Sequence, residues 1–283
     1  MKKIILPTDF SANAYNAITY ATQLYKDVET TFYLINTYTP TVYQPEYIIH
    51  SPGQIGLGDM YQQNSETELD TLKTKIEKEF KNEKHTFITH SAFNLLVNEI
   101  EEIIKKENAD IIIMGTQGAT GAKEIFLGSH TVQVLKKVKC PILIIPSKFV
   151  YEKPKEIMFP TDFEVDYQRN QLKELLLIAD KHMSSIEVLH VSEGYELNET
   201  QKRNKQKLDT ILGKIAHLHH DLPNQTVIAA INSFQMKKRM NLLVMIQNKH
   251  TFFERLFIEP VIKKISFHVT IPFMVIPHYE KID

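Results

Sequence analysis

The residues of this 283-residue chain best suited to chemistry lie between positions 114 and 130. Met114-Gly115-Thr116-Gln117-Gly118 is followed, nine residues on, by Gly128-Ser129-His130. A phosphate group needs close backbone approach and N–H donors, and glycines next to a helix N-terminus supply both. Ser129 adds a hydroxyl and suits a helix cap. Lys123 and His130 lie in or beside this stretch, where they either add positive charge or stay solvated. A lone Gly-x-x-Gly more often makes a turn than a ligand site, so position has to decide. In a doubly wound sheet, ligands settle beyond the carboxyl ends of the strands where chain order reverses. There Pro7-Thr8-Asp9, after a first strand, would converge with Gly115 after a fourth. Asp9 would then hold a ribose hydroxyl, a water on a metal or a base edge, or else cap the helix over 12–25.

The elements that must position these residues occur twice. Lys3-Ile4-Ile5-Leu6-Pro7-Thr8-Asp9-Phe10 returns as Glu156-Ile157-Met158-Phe159-Pro160-Thr161-Asp162-Phe163. Downstream, Ala109–Met114 matches Met240–Met245 and Cys140–Pro146 matches Ile271–Pro277, both at an offset of 131 positions. In the first copy, strand-like runs near 3–7, 31–37, 85–90, 110–114 and 141–145 alternate with helical patterns near 12–25, 65–82, 94–107 and 128–138. Ser11 and Asn94 stand where helix caps belong. The second copy predicts strands near 156–160, 186–191, 226–231, 242–246 and 272–276. Strands alternating with helices indicate parallel βαβ units, hence an α/β protein with a doubly wound sheet in each copy. The repeats divide at residues 1–148 and 149–283, with a linker over 147–155. The Pro-, Gly- and Tyr-bearing stretch 38–64 reads as a long irregular loop, either functional or mobile.

With these motifs in view, the chain resembles the universal stress protein family. The family's pattern, Gly-x-x-Gly, nine residues, then Gly-Ser or Gly-Thr, is complete as Gly115, Gly118, Gly128 and Ser129, and Pro7–Ser11 and the strand from Cys140 also match. The resemblance implies a five-stranded parallel sheet of order 3-2-1-4-5 in each copy, adenine nucleotide alpha hydrolase-like. The copies would pair as an internal pseudo-dimer through their last strands. It implies ATP or another adenine nucleotide, with a divalent cation such as Mg2+ near the phosphates. Asp9 and Thr37 would meet adenine, Gly115 the ribose, and Gly118, Gly128 and Ser129 the phosphates. Pro7, Thr8, Met114 and His130 complete the candidate set. Gln117 stands where the family often has histidine.

The second copy lacks this set. At the same offset Gly115 becomes Ile246, Gly118 becomes Lys249, Gly128 becomes Glu259 and Ser129 becomes Pro260, which has no N–H. The second copy therefore reads as a scaffold or partner-binding domain without nucleotide. His217, His219 and His220 cluster near the end of a helical stretch, where His217 and His220 could share a face. A surface cluster is the preferred reading and no metal site is assigned. Cys140 is the sole cysteine, which excludes an internal disulfide. Lys and Arg total 33 against 34 Asp and Glu, so no global field draws the chain to nucleic acid or anionic membrane. No apolar run approaches a membrane span, and the first residues turn polar too early for a signal peptide, which points to the cytoplasm. No nucleophile elbow or Walker A pattern is present, and no catalytic residue is assigned. The leading expectation is a regulatory protein binding adenine nucleotide in its first copy, read by an unidentified protein partner. A nucleotide-free interaction module and a slow ATPase are the alternatives, and further homodimerisation is open.

Overall fold

The computed structural model describes residues 1–38, 57–116, 128–192, 196–224, 227–247 and 270–278. The chain divides into two compact units, Met1–Cys140 and Pro141–Asp283. No helix among the described residues is long and apolar enough to cross a membrane.

In the first unit, strands β1 (Lys2–Pro7), β2 (Thr30–Thr37), β3 (His85–Ala92) and β4 (Ile111–Gly115) alternate with helices α1 (Ala12–Leu24), α2 (Leu57–Glu79), α3 (Leu96–Glu107) and α4 (Ser129–Lys137). The strands lie parallel in the order β3-β2-β1-β4. Ile4, Ile5 and Leu6 of β1 and Ile111, Ile112 and Ile113 of β4 are fully buried. Continuous apolar runs of this kind suit central strands covered on both faces by crossover helices. Helix α1 starts where expected, because Ser11 caps it and accepts from the Ala14 amide. Helix α3 starts after Leu95 rather than at Asn94. Asn94 instead accepts from the Leu95 amide and donates to Glu99 Oε2 at 2.9 Å. Helix α2 already begins at Leu57, inside the stretch expected to be loop, whose positions 39–56 lie outside the described residues.

The second unit contains strands β5 (Ile142–Ile145), β6 (Glu156–Thr161), β7 (Ser185–Ser192), β8 (Ala216–Pro223), β9 (Leu242–Gln247) and β10 (Phe273–Pro277), with helices α5 (Lys173–His182), α6 (Glu199–Leu212) and α7 (Val227–Lys237). Its order is β5-β10-β9-β6-β7-β8. The five strands of the second repeat thus follow the 3-2-1-4-5 order and are parallel. Strand β5, the last of the first repeat by sequence, pairs antiparallel with β10, Met274 opposite Leu143. One expectation fails here. The run expected as a strand over 226–231 is helical where it is described, from Val227 at the start of α7, with position 226 outside the described residues, and β8 is instead the histidine-bearing segment before it. Ala230 and Ile231 are fully buried, so the run turns its bulk inward as a helix. The histidines therefore belong to an edge strand and not to the end of a helix.

Candidate functional site

The first unit places the end of β1 between the ends of β2 and β4, the point where strand order reverses. Pro7 closes β1, buried, and the chain then turns through Thr8, Asp9 and Phe10. Both backbone groups of Thr8 are held by β2: its N–H donates to Ile35 O at 2.8 Å, and its carbonyl accepts from Asn36 Nδ2 at 2.8 Å. Ser65 of α2 donates to Asn36 Oδ1 at 2.7 Å and Ser91 of β3 donates to Ser65, so three elements fix this amide. Phe10 adopts φ 63°, an uncommon region for a bulky residue. The turn is held by its own side chains: Thr8 Oγ1 accepts from the Phe10 N–H at 3.0 Å and Asp9 Oδ1 from the Ser11 N–H at 3.1 Å. Such side-chain turns are the usual habit of Thr and Asp. Asp9 therefore braces the turn and leaves the capping of α1 to Ser11, with its carboxylate exposed to solvent.

The other wall is the end of β4 and the start of α4. Met114 and Gly115 are buried. A Cβ on Gly115 would run into the Asn13 side-chain amide, so a larger residue there requires that amide to move. Thr131 Oγ1 donates to Gly115 O at 3.1 Å and the Gly128 N–H to Thr116 O at 2.5 Å, which ties the head of α4 to the end of β4. Gly128 is the cap residue and brings no side-chain bond to the helix. Ser129 and His130, the first residues of α4, are exposed. The Thr116 hydroxyl is buried and finds no hydrogen-bond partner among the described residues. A helix N-terminus of this kind favours an anion through its amides and its dipole. Thr37 ends β2, half-buried. Beside it, Tyr38 and Phe93 hold their rings 5.9 Å apart, and burial followed by the charges of Glu66 and Asp59 raises the Tyr38 phenol above its ordinary range. Gly118, Gln117 and Lys123 lie outside the described residues.

The structure thus gathers Pro7, Thr8, Asp9, Thr37, Met114, Gly115, Gly128, Ser129 and His130 onto the carboxyl ends of β1, β2 and β4 and the head of α4. Sequence reasoning missed Asn13, Asn36 and Ser65, the polar residues that set the turn and the glycine. Asn36 carried a signal, being an amide directly after the Phe32–Ile35 run of β2.

The second unit repeats the turn and closes the space around it. Phe163 has φ 58°, Thr161 Oγ1 accepts from the Phe163 N–H at 3.0 Å and Asp162 Oδ1 from the Glu164 N–H at 3.0 Å. No helix follows directly. Instead Tyr167, fully buried, bonds its hydroxyl to Thr161 Oγ1, and burial drives that phenol well above its ordinary range. Gln201 and Asn204 of α6 donate to the Asp162 and Phe163 carbonyls at 2.9 and 2.8 Å. Phe163 is fully buried and stacks on His190 with centroids 5.1 Å apart, whereas Phe10 is half-buried. Ile246 puts a buried side chain where the first unit has Gly115. Glu259 and Pro260 lie outside the described residues.

The histidine cluster differs from expectation. On β8, alternation puts His217 and His219 on one face and His220 on the other, where His220 meets Glu187 Oε2 at 2.5 Å.

The model of the universal stress protein family matches residues 1–146. Universal stress protein MJ0531 of Methanocaldococcus jannaschii is 31% identical over 153 residues, which cover 51% of this chain and 81% of that protein. Universal stress protein MJ0577 of the same organism is 30% identical over 158 residues, 52% of this chain and 96% of that protein. A universal stress protein from Archaeoglobus fulgidus DSM 4304 superposes with a TM-score of 0.69 at 20% identity, covering 97% of this chain and 98% of that one, a likeness of fold.

Proposed function

Because this chain belongs to the universal stress protein family, we propose that its first unit binds ATP or a related adenine nucleotide and acts as a regulatory element rather than a catalyst. In this reading the nucleotide-binding repeat is residues 1–148 and the degenerate repeat is 149–283. Asp9 and Thr37 face the adenine end, Gly115 the ribose, and Gly118, Gly128 and Ser129 the phosphates, with His130 adding a donor nearby. Pro7, Thr8 and Met114 shape the wall. Mg2+ would accompany the phosphates. Occupancy favours one arrangement of the surrounding loops, and a protein partner in the cytoplasm reads it.

The observation that carries the reading is the head of α4, capped only by Gly128, tied to the end of β4 and carrying exposed Ser129 and His130 at a strand-order reversal. The buried Thr116 hydroxyl without a partner among the described residues supports it. Gly115 supports it less, since the Asn13 amide explains that glycine by packing alone. This contact is what favours the second reading, a nucleotide-free interaction module.

The test is a mass spectrum of small molecules co-purified with the protein, followed by titration of ATP, ADP and AMP into wild type and Gly128→Val. The backbone at Gly128, φ −58° and ψ 152°, is open to valine, and circular dichroism of the variant checks that it folds. Binding should weaken by about tenfold or more, as expected when side-chain bulk blocks the backbone approach a phosphate needs. Equal binding by both proteins removes this cradle, and no binding by wild type selects the interaction module. ATP that stays intact through hours on the protein argues against the ATPase alternative.

A further inference from the structure

We propose that Asp209, His217 and His219 form a site for a divalent transition metal, zinc by preference, in the second unit and independent of the nucleotide reading. The three side chains offer one ligand atom each, all within 4.8 Å of one another, and each is partly buried. Asp209 lies on α6 and the two histidines on one face of β8, so helix and strand present the ligands from opposite sides.

The tautomer of His217 is what points to a cation. His217 Nδ1 donates to Ile215 O at 2.8 Å, which leaves the lone pair of the neutral ring on Nε2. That Nε2 faces Asp209 Oδ1 at 3.6 Å. In that neutral form two acceptors face each other, and either a proton or a metal cation between them reverses the repulsion. Bonds of about 2.0–2.2 Å in a tetrahedral arrangement place ligand atoms about 3.3 Å apart, close to this spacing. A backbone carbonyl behind a ligating histidine is also the usual device for fixing ring orientation. His219 Nε2 is 2.6 Å from the same carboxylate oxygen, a hydrogen bond that holds the ring in place without an ion. Binding at Nε2 opens this contact by several tenths of an ångström and leaves the ring proton on Nδ1, a buried nitrogen without a hydrogen-bond partner among the described residues.

The surrounding charge is compatible. Asp209 supplies one negative charge, and Lys205, one turn before it on α6, has its ammonium over the Phe163 ring at 5.9 Å from the centroid. The neighbouring His190 is engaged with Asp221 at 2.7 Å. The side chains of His217, His219 and Asp209 keep 19%, 24% and 40% of their surface, which leaves room for a water as fourth ligand. Two imidazoles and a carboxylate suit zinc, cobalt or nickel over calcium or magnesium, which prefer oxygen.

The test uses the full chain, stripped with a chelator and titrated with Co2+ and then Zn2+. Expected are one equivalent of Co2+ with the visible absorption of a tetrahedral nitrogen–oxygen site, displacement by Zn2+, and loss of affinity by about tenfold or more in His217→Gln, His219→Gln and Asp209→Asn. His220→Gln, on the opposite face, keeps the wild-type affinity. Circular dichroism of each stripped variant confirms the fold, and the near-isosteric Asp209→Asn stands in if a histidine variant does not fold. Absence of stoichiometric binding, which leaves a histidine–carboxylate pair only, overturns the proposal. So does binding that all three variants retain.

Discussion

Pro7–Ser11 and Pro160–Glu164 fold into the same turn and end in opposite surroundings. Each has a left-handed phenylalanine, a threonine hydroxyl accepting from its amide and an aspartate accepting from the next. The motif therefore builds its own geometry and needs no ligand to explain it. What separates the units is the sequence that follows. In the first, α1 begins at once and Asn13 leans on Gly115, leaving Phe10 half-buried and Asp9 in solvent. In the second, Tyr167, Gln201 and Asn204 fold over the turn and Phe163 disappears into the core.

The contrast breaks first at the phenylalanines. Phe163→Ala should cost about 3–5 kcal/mol, the range for a fully buried aromatic, whereas Phe10→Ala should cost about 1 kcal/mol. Urea unfolding of both variants measures the gap, and equal losses would mean the second turn is not sealed. The next pair has opposite chemistry: Ile246→Ala opens a void and should cost about 2–4 kcal/mol. Gly115→Ala instead adds bulk against Asn13 and should cost about 1–2 kcal/mol, recovered in part when Asn13→Ala is added. Recovery measured by thermal unfolding assigns that glycine to packing. Smaller still, Asp9→Asn keeps an oxygen for the Ser11 amide and should leave stability within about 0.5 kcal/mol. It should nevertheless weaken nucleotide binding, while Asp162→Asn changes neither quantity in calorimetry.

The smallest effect is in acid. Burial lowers the His85 pKa although the ring bonds to the Tyr25 carbonyl. A histidine lowered in the folded state contributes stability that is full above its unfolded value, about 6.5, and lost as pH falls through the folded one. In the second unit burial pushes the Glu187 carboxyl up, but bonds from Lys238 and His220 outweigh this and hold it below the usual range. Its contribution persists until pH drops below about 4.3 and then through the folded value. The first unit should thus begin to weaken at higher pH, and His85→Gln should flatten that early part of the curve followed by circular dichroism.

The repeat and its alternation of strands and helices were legible because apolar runs such as Ile111–Ile113 and the Pro-Thr-Asp-Phe turns report local physics directly, whereas the strand order that brings β1 beside β4 came from the family resemblance. Ser11 was legible as a cap for the same reason. Asn94 was not, because its carbonyl serves the adjacent amide and its NH2 group donates to Glu99 in the first turn of α3, so a local side-chain contact displaces the cap. Strand β8 was missed because edge position lets it carry three histidines and exposed Leu218, so it lacks the apolar run of a core strand. The run after it, with Ala230 and Ile231, looked like a strand since short apolar stretches do not reveal their period. The roles of Asn13 and Asn204 depend on partners far along the chain and had no local signature.

Strand β5 belongs to the first repeat by descent and to the second unit by contact, its four residues buried and three of them, Ile142, Leu143 and Ile144, paired with β10. The repeats are consequently not interchangeable cassettes. A polypeptide severed at residue 148 would carry Ile142–Ile145 as a naked apolar border seeking a mate, and would tend to stick to its own kind.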